Sequence, residues 1–274
     1  MVCKELKRKI DRRDWQVVSR LDFGNFQYES VETVIHFISK CGVNLRELDL
    51  SGYKNKISEE TLVGIFRRVP NIISLNLRAA HVVMDIKLLS ELCHSCPKLE
   101  CLDLGFLDFE RIEFVASSVK FLELKKLSLH KTYVGYGVST KELSSFFPNL
   151  EFVDLWFQAG SLLTFPFIEG KRIREVNFSG EWVANREDLS KFLIENSSHL
   201  TSFSARRSLV DLIPEFKLCT RMEKLDLWAN SWEAVFAQEE LVKVLDSCKN
   251  LKELNLTNHQ ISDKLVQYQK VFDT

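Results

Sequence analysis

The chain has 274 residues, about 45% of them apolar, with 37 basic against 38 acidic side chains. A chain of this size buries a substantial core, and its balanced charge gives no drive toward nucleic acid or an anionic membrane. No run of about 18 apolar residues occurs, so no transmembrane helix is expected.

The polar, basic start does not read as a secretory signal. Seven cysteines leave at least one unpaired in any intramolecular scheme. Reduced thiols in the cytoplasm or nucleus are therefore expected. By the same logic the N-x-S/T triplets at Asn177, Asn196 and Asn255 are expected to stay unglycosylated. The first predicted element, over residues 1–17, is a capping helix. Its stretch "KELKRKIDRR" places Leu6 and Ile10 four apart on one face, with the basic residues outward.

From residue 18 to 274 the chain repeats. The segments "LRELDLSGY", "IISLNLRAA", "LECLDLGFL", "LEFVDLWFQ", "MEKLDLWAN" and "LKELNLTNH" share apolar residues at relative positions 0, 3 and 5. Weaker copies bring the number to ten. Position 0 is Val18, Leu45, Ile72, Leu99, Leu124, Leu150, Ile173, Leu200, Met222 and Leu251. The steps are 27, 27, 27, 25, 26, 23, 27, 22 and 29 residues, the period of leucine-rich repeats. Positions 3 and 5 alternate with polar neighbours, as on one face of a short strand. Helical stretches follow, such as "SVETVIHFISKCG" and "SEETLVGIFRRVP", each opening on a capping Ser. The predicted fold is an α/β leucine-rich-repeat solenoid of about ten repeats. Its parallel sheet lines the concave face and its helices the convex face. Beyond the strand, position 10 holds Val82, Val134, Val183, Val210 and Ile261, an expected core slot that Trp232 shares.

"CHSCPKLEC", Cys93 to Cys101, has the density of a zinc site. The register argues otherwise. Cys96, Cys219 and Cys248 stand three residues before position 0, where Val69 and Phe147 stand in other repeats. Such a slot is apolar, and Cys fills it as a small hydrophobe. Cys93 and His94 fall on the preceding helix and Cys101 on the concave strand. No metal site and no cofactor are expected.

The repeats resemble the cysteine-containing leucine-rich repeats of F-box proteins, on "LDLSGYKNKISEE", "CHSCPKLECLDL" and "LNLTNHQISDKL". The N-terminus adds Val2, Cys3, Lys4, Trp15, Leu21, Asp22 and Phe23, which are similar to the end of an F-box running into its first repeat. The front of an F-box does not fit ahead of Trp15. The resemblance implies a substrate receptor, which would recruit a cullin–RING ligase adaptor only in a longer form with a full F-box.

No catalytic motif is present: no G-x-S-x-G, P-loop, G-x-G-x-x-G or H-E-x-x-H. His130 and His259 lie near the concave rim, with no Ser or Cys set beside them by the register. Position 4 carries Asp22, Asp49, Asn76, Asp103, Ser128, Asp154, Asn177, Ser204, Asp226 and Asn255. Neutral residues separate most carboxylates, so no cation cage converges and a solvated polar row is expected. Large aromatics point to a binding face. Trp156 and Trp228 sit at position 6, aimed at the concave side, with Phe157 beside the first. Tyr133 and Trp182 sit at position 9, and Tyr53 and Phe106 are expected on the same rim. Arg78, Arg206 and Arg207 are candidates to pair acidic or phosphorylated groups. These residues predict a non-enzymatic module that holds a partner protein. A ligase-independent scaffold or inhibitor and a small-ligand receptor stay open. No nucleic acid or membrane is expected to bind.

Overall fold

The computed structural model describes residues 15–24, 30–54, 57–109, 119–130, 146–157, 172–180, 186–206, 214–228 and 238–257. Ten strands form one parallel sheet: β1 (Arg20–Asp22), β2 (Glu47–Asp49), β3 (Ser74–Asn76), β5 (Cys101–Asp103), β7 (Lys126–Leu129), β8 (Phe152–Phe157), β9 (Glu175–Gly180), β10 (Ser202–Arg206), β11 (Lys224–Asp226) and β12 (Glu253–Asn255). They stand side by side in chain order, as stacked repeats require. A second, two-stranded parallel sheet pairs β4 (Val83–Met84) with β6 (Asp108–Phe109). Five helices are described: α1 (Val31–Cys41), α2 (Glu59–Phe66), α3 (Ile86–Ser95), α4 (Arg186–Asn196) and α5 (Gln238–Ser247). The fold is the predicted leucine-rich-repeat solenoid.

Every strand pairs position 3 with position 3 of its neighbour: Leu48 with Leu75, Leu75 with Leu102, Phe203 with Leu225. Leu48, Leu50, Leu75, Leu77, Leu102, Leu104, Leu225 and Leu227 are all buried. Leu254 departs from expectation and is only partly buried, and Leu256 sits at the edge of the core. Leu254 lies on the last described strand and Leu256 just after it, with β11 on one side.

The two predicted Ser caps form: Ser30 Oγ accepts from the Thr33 N–H and Ser58 Oγ from Thr61. Asp85 Oδ1 caps a third helix by accepting from Leu88, and all three satisfy helix-terminal donors. The cysteine slot is core. Cys41, Cys96, Cys219 and Cys248 are buried, as are Val69 and Phe147. The Cys96 thiol faces the carbonyls of Phe66 and Val69, and burial pushes its pKa up to about 12. Cys93, on α3, donates to the Lys120 carbonyl. Among the described residues no three His, Cys, Asp or Glu gather at one point.

Two features escaped the sequence reading. Asn recurs one residue before position 0 and donates to the preceding repeat: Asn71 to Val43 O, Asn149 to Leu122 O, Asn250 to Thr220 O. Position 7 takes positive φ in consecutive repeats, at Gly52, Ala79 and Phe106. A bulky aromatic rarely adopts this conformation. Tyr53 corrects an expectation. It is fully buried rather than on the rim, because position 8 turns back into the core after the position 7 turn. Val82 at position 10 is buried as predicted. Val134, Val183, Val210, Trp232 and Ile261 lie outside the described residues.

Candidate concave binding face

The polar row at position 4 has a structural use that its composition does not reveal. Its side chains cap the turn leaving each short strand. Asp22, Asp49, Asn76, Asp103 and Asn255 each accept, through Oδ1, the N–H of the residue two places on. This Asx turn explains why Asp and Asn recur there.

The central strands behave differently. β8 runs to Phe157, β9 to Gly180 and β10 to Arg206, while β2, β3 and β5 stop at position 4. Ladder pairing continues through Trp156–Ser179 and Arg206–Ser179. The strand backbone there needs no side-chain cap, and both oxygens of Asp154 bond sideways, whereas Asp49 divides its two between its turn and Asn76 Nδ2 at 3.0 Å. Ser128 Oγ donates to Asp154 Oδ2 at 3.1 Å, and Asn177 Nδ2 to Asp154 Oδ1 at 3.0 Å. His130 Nδ1 lies 3.5 Å from Asp154 Oδ1 and 3.3 Å from Ser179 Oγ.

The Ser179 contact corrects the expectation that no Ser stands beside His130. The two residues sit at position 6 of their repeats, His130 just after β7 and Ser179 on β9, and they meet across β8. These contacts do not form a nucleophile relay. Ser179 and Asp154 both approach Nδ1, whereas a relay needs them on opposite ring nitrogens.

Burial pushes the Asp154 carboxyl above its ordinary pKa, against the pull of His130, the Ser128 hydrogen bond and Arg78. A carboxyl raised in the fold contributes stability that is full below its unfolded pKa of about 3.9 and lost as pH rises through the folded value. Asp154→Asn cannot ionise. Its unfolding free energy is expected to gain on the wild type between about pH 4 and pH 7. Denaturant titrations across that window check this, and a pH-independent difference would refute it.

On the β3 side, Arg78 is held rather than open. Its guanidinium stacks 4.8 Å over the Phe106 ring, and Nη1 lies 3.7 Å from Asp103 Oδ2. Phe106 is 42% exposed, with its ring 5.6 Å from that of His130. A Cβ on Gly105 would meet Asp103 Oδ1, the His130 carbonyl and Arg78 Nη1 at 3.0–3.2 Å, so glycine is needed for this close approach.

The register brings Trp156, Ser179 and Arg206 side by side. The side chains of Trp156, Phe157 and Arg206 lie outside the described part, as do Tyr133, Trp182 and Arg207 entirely. Trp228 follows β11 and is half-buried. Arg78 stands apart, on β3's turn.

No protein-family model matches the chain. Among solved structures, an internalin of Listeria monocytogenes superposes with a TM-score of 0.54 at 18% identity, over 84% of this chain and 59% of that one. The TLR13–ssRNA13 complex gives 0.48 at 15% identity, over 78% and 36%. The plant peptide hormone receptor RGFR1, in complex with RGF2, gives 0.39 at 16%, over 82% and 30%. The chain thus spans less than two thirds of each. At these identities the likeness is one of fold.

Proposed function

We propose that this chain is a non-enzymatic binding module that holds a partner protein on its concave face, across β7–β11 and the adjoining rim. The observation that carries this reading is the change of bonding on β8–β10. There the strands lengthen, and Asp154 and Asn177 are released from turn-capping. Trp156, Ser179 and Arg206 share one row, with Trp228 at the same position of the next repeat. The partner-contact residues we propose are Trp156, Phe157, Trp182, Arg206, Arg207, Trp228, Tyr133 and Arg78. Among the described residues, Lys125, Arg174 and Lys252 are paired with Glu100, Glu151 and Glu223 of the preceding repeats. That disfavours a nucleic-acid backbone as the ligand.

The finer reading is a substrate receptor of the F-box type. It rests on Val2, Cys3, Lys4, Trp15 and the Leu21–Phe23 match. Trp15 packs 5.7 Å from the Phe37 ring, and Phe23 joins the core. Adaptor recruitment is proposed for a form with a full F-box. The rival is a ligase-independent scaffold, which would hold its partner with no adaptor in any form.

Desolvated Trp side chains at an interface centre contribute more than about 2 kcal/mol on truncation. Trp156→Ala and Trp228→Ala are therefore expected to weaken a captured partner by roughly tenfold or more, with little change in melting temperature. Calorimetric titration and thermal unfolding check both halves. Normal binding by both variants would move the face elsewhere on the sheet.

A further inference from the structure

The row Asp154, Asn177, Ser204, Asp226 occupies one position on four adjacent strands, about 4.8 Å apart. No basic residue stands in this row anywhere along the sheet. The row is short of donors. The Asn177 amide N–H is committed to Asp154 on the β8 side. Flipping that amide would set its oxygen against the carboxylate, so the network fixes its orientation. Asn177 Oδ1 and Ser204 Oγ are both buried, and neither has a hydrogen-bond partner among the described residues. Ser204 is only 6% exposed. Buried polar atoms are nearly always paired, and those left over call for an explanation. Asp226, beside Ser204, is 2% exposed.

We propose that this ledge receives an arginine side chain of the partner protein. Asn177 Oδ1 and Ser204 Oγ accept its N–H groups, and Asp154 supplies the counter-charge. A planar guanidinium offers several donors at fixed angles and sheds water more readily than an ammonium. It can address acceptors on neighbouring strands at once. A carboxylate or phosphate would instead face Asp154 and Asp226 across a row without a cation. This inference rests on the partner-binding reading above and adds the chemistry of what is bound.

The probe is a short acetylated and amidated glycine–serine peptide carrying one arginine. Its control is the same peptide with citrulline, which keeps the shape without the charge. Binding is read by NMR on the nitrogen-labelled full chain. The arginine peptide is expected to shift the Asn177 side-chain NH2 and the Ser204 amide saturably, roughly tenfold more tightly than the citrulline peptide. Asn177→Leu should abolish the shift of the Ser204 amide. Equal binding of both peptides, shifts confined to β1–β3, or no shift at millimolar peptide would each overturn the proposal. Ser204→Ala tests the premise separately. Its melting temperature should equal or exceed that of the wild type, because the hydroxyl makes no bond among the described residues. A lowered value would remove the premise. If the arginine peptide fails while Trp156→Ala and Trp228→Ala still lose the partner, the binding face stands and only its ligand chemistry falls.

Discussion

Phe203→Ala is expected to lower the unfolding free energy by about 3–5 kcal/mol, read from urea denaturation. Phe203 occupies position 3 of the repeat that starts at Leu200 and is fully buried. Its ring meets Phe216 at 5.0 Å and 82°, and Phe178 at 6.0 Å and 81°, both edge-on. Phe178 in turn meets Phe192 at 6.5 Å. Edge-to-face pairs add about 0.5–1.5 kcal/mol each beyond area burial. The ring therefore ties β10 to β9 and to the 3-10 turn Pro214–Leu218. This repeat advances only 22 residues to Met222, and a larger side chain fills the core of a shorter turn. Phe203→Leu, which restores the consensus residue, should recover part of the loss. In a solenoid each repeat leans on its neighbours, so amide exchange should rise on β9 and β11 before β2 or β3. A loss below about 1 kcal/mol for Phe203→Ala would show that this aromatic chain is dispensable.

Asn196→Ala is expected to be nearly as damaging. Asn196 is fully buried at the end of α4. Its Oδ1 accepts the Ile173 N–H at 2.9 Å, and its Nδ2 donates to the Phe192 carbonyl at 3.0 Å. Truncation leaves the Ile173 N–H buried without an acceptor, at a cost of about 1–3 kcal/mol, and the emptied volume adds to it. Cys41 stands at the corresponding place, four residues before Leu45, and its thiol makes the same bond back, to Phe37 O at 3.3 Å. Asn196→Cys should thus keep the bond within the helix and lose only the bond to Ile173, falling between wild type and Asn196→Ala in thermal unfolding. If Asn196→Ala proves as stable as the wild type, the cross-repeat bond carries no weight. The same burial bears on the N-x-S triplet here: an asparagine fully buried in the fold offers no acceptor for a glycan once folded.

The register of the central strands was legible in the sequence. The spacing put Asp154, Asn177 and Ser204 at one position of successive repeats, as the ladder has them, and the uneven steps marked the central repeats. Other parts were not legible, for particular reasons. Tyr53 was assigned to the rim because alternation was carried past the strand end, where a positive-φ turn at Gly52 resets it. Ser179 was missed as a neighbour of His130 because the two lie on strands that do not pair. The turn-capping bonds of the position 4 row went unforeseen. They depend on where each strand stops.

The sequence by itself determined the repeat, its register, the buried leucines and the cysteine slot, because all of these follow from periodicity. One apolar residue must face its counterpart in the next repeat, whatever the surroundings. Only the tertiary structure decided what the polar residues do. The same Asp caps a turn and accepts one bond from the next strand where strands are short, as at Asp49, and bonds across to both neighbours on a longer strand, as at Asp154. Strand length is set by how neighbouring repeats stack rather than by the residue itself, so the donor-poor ledge at Asn177 and Ser204 exists only once β8, β9 and β10 are side by side.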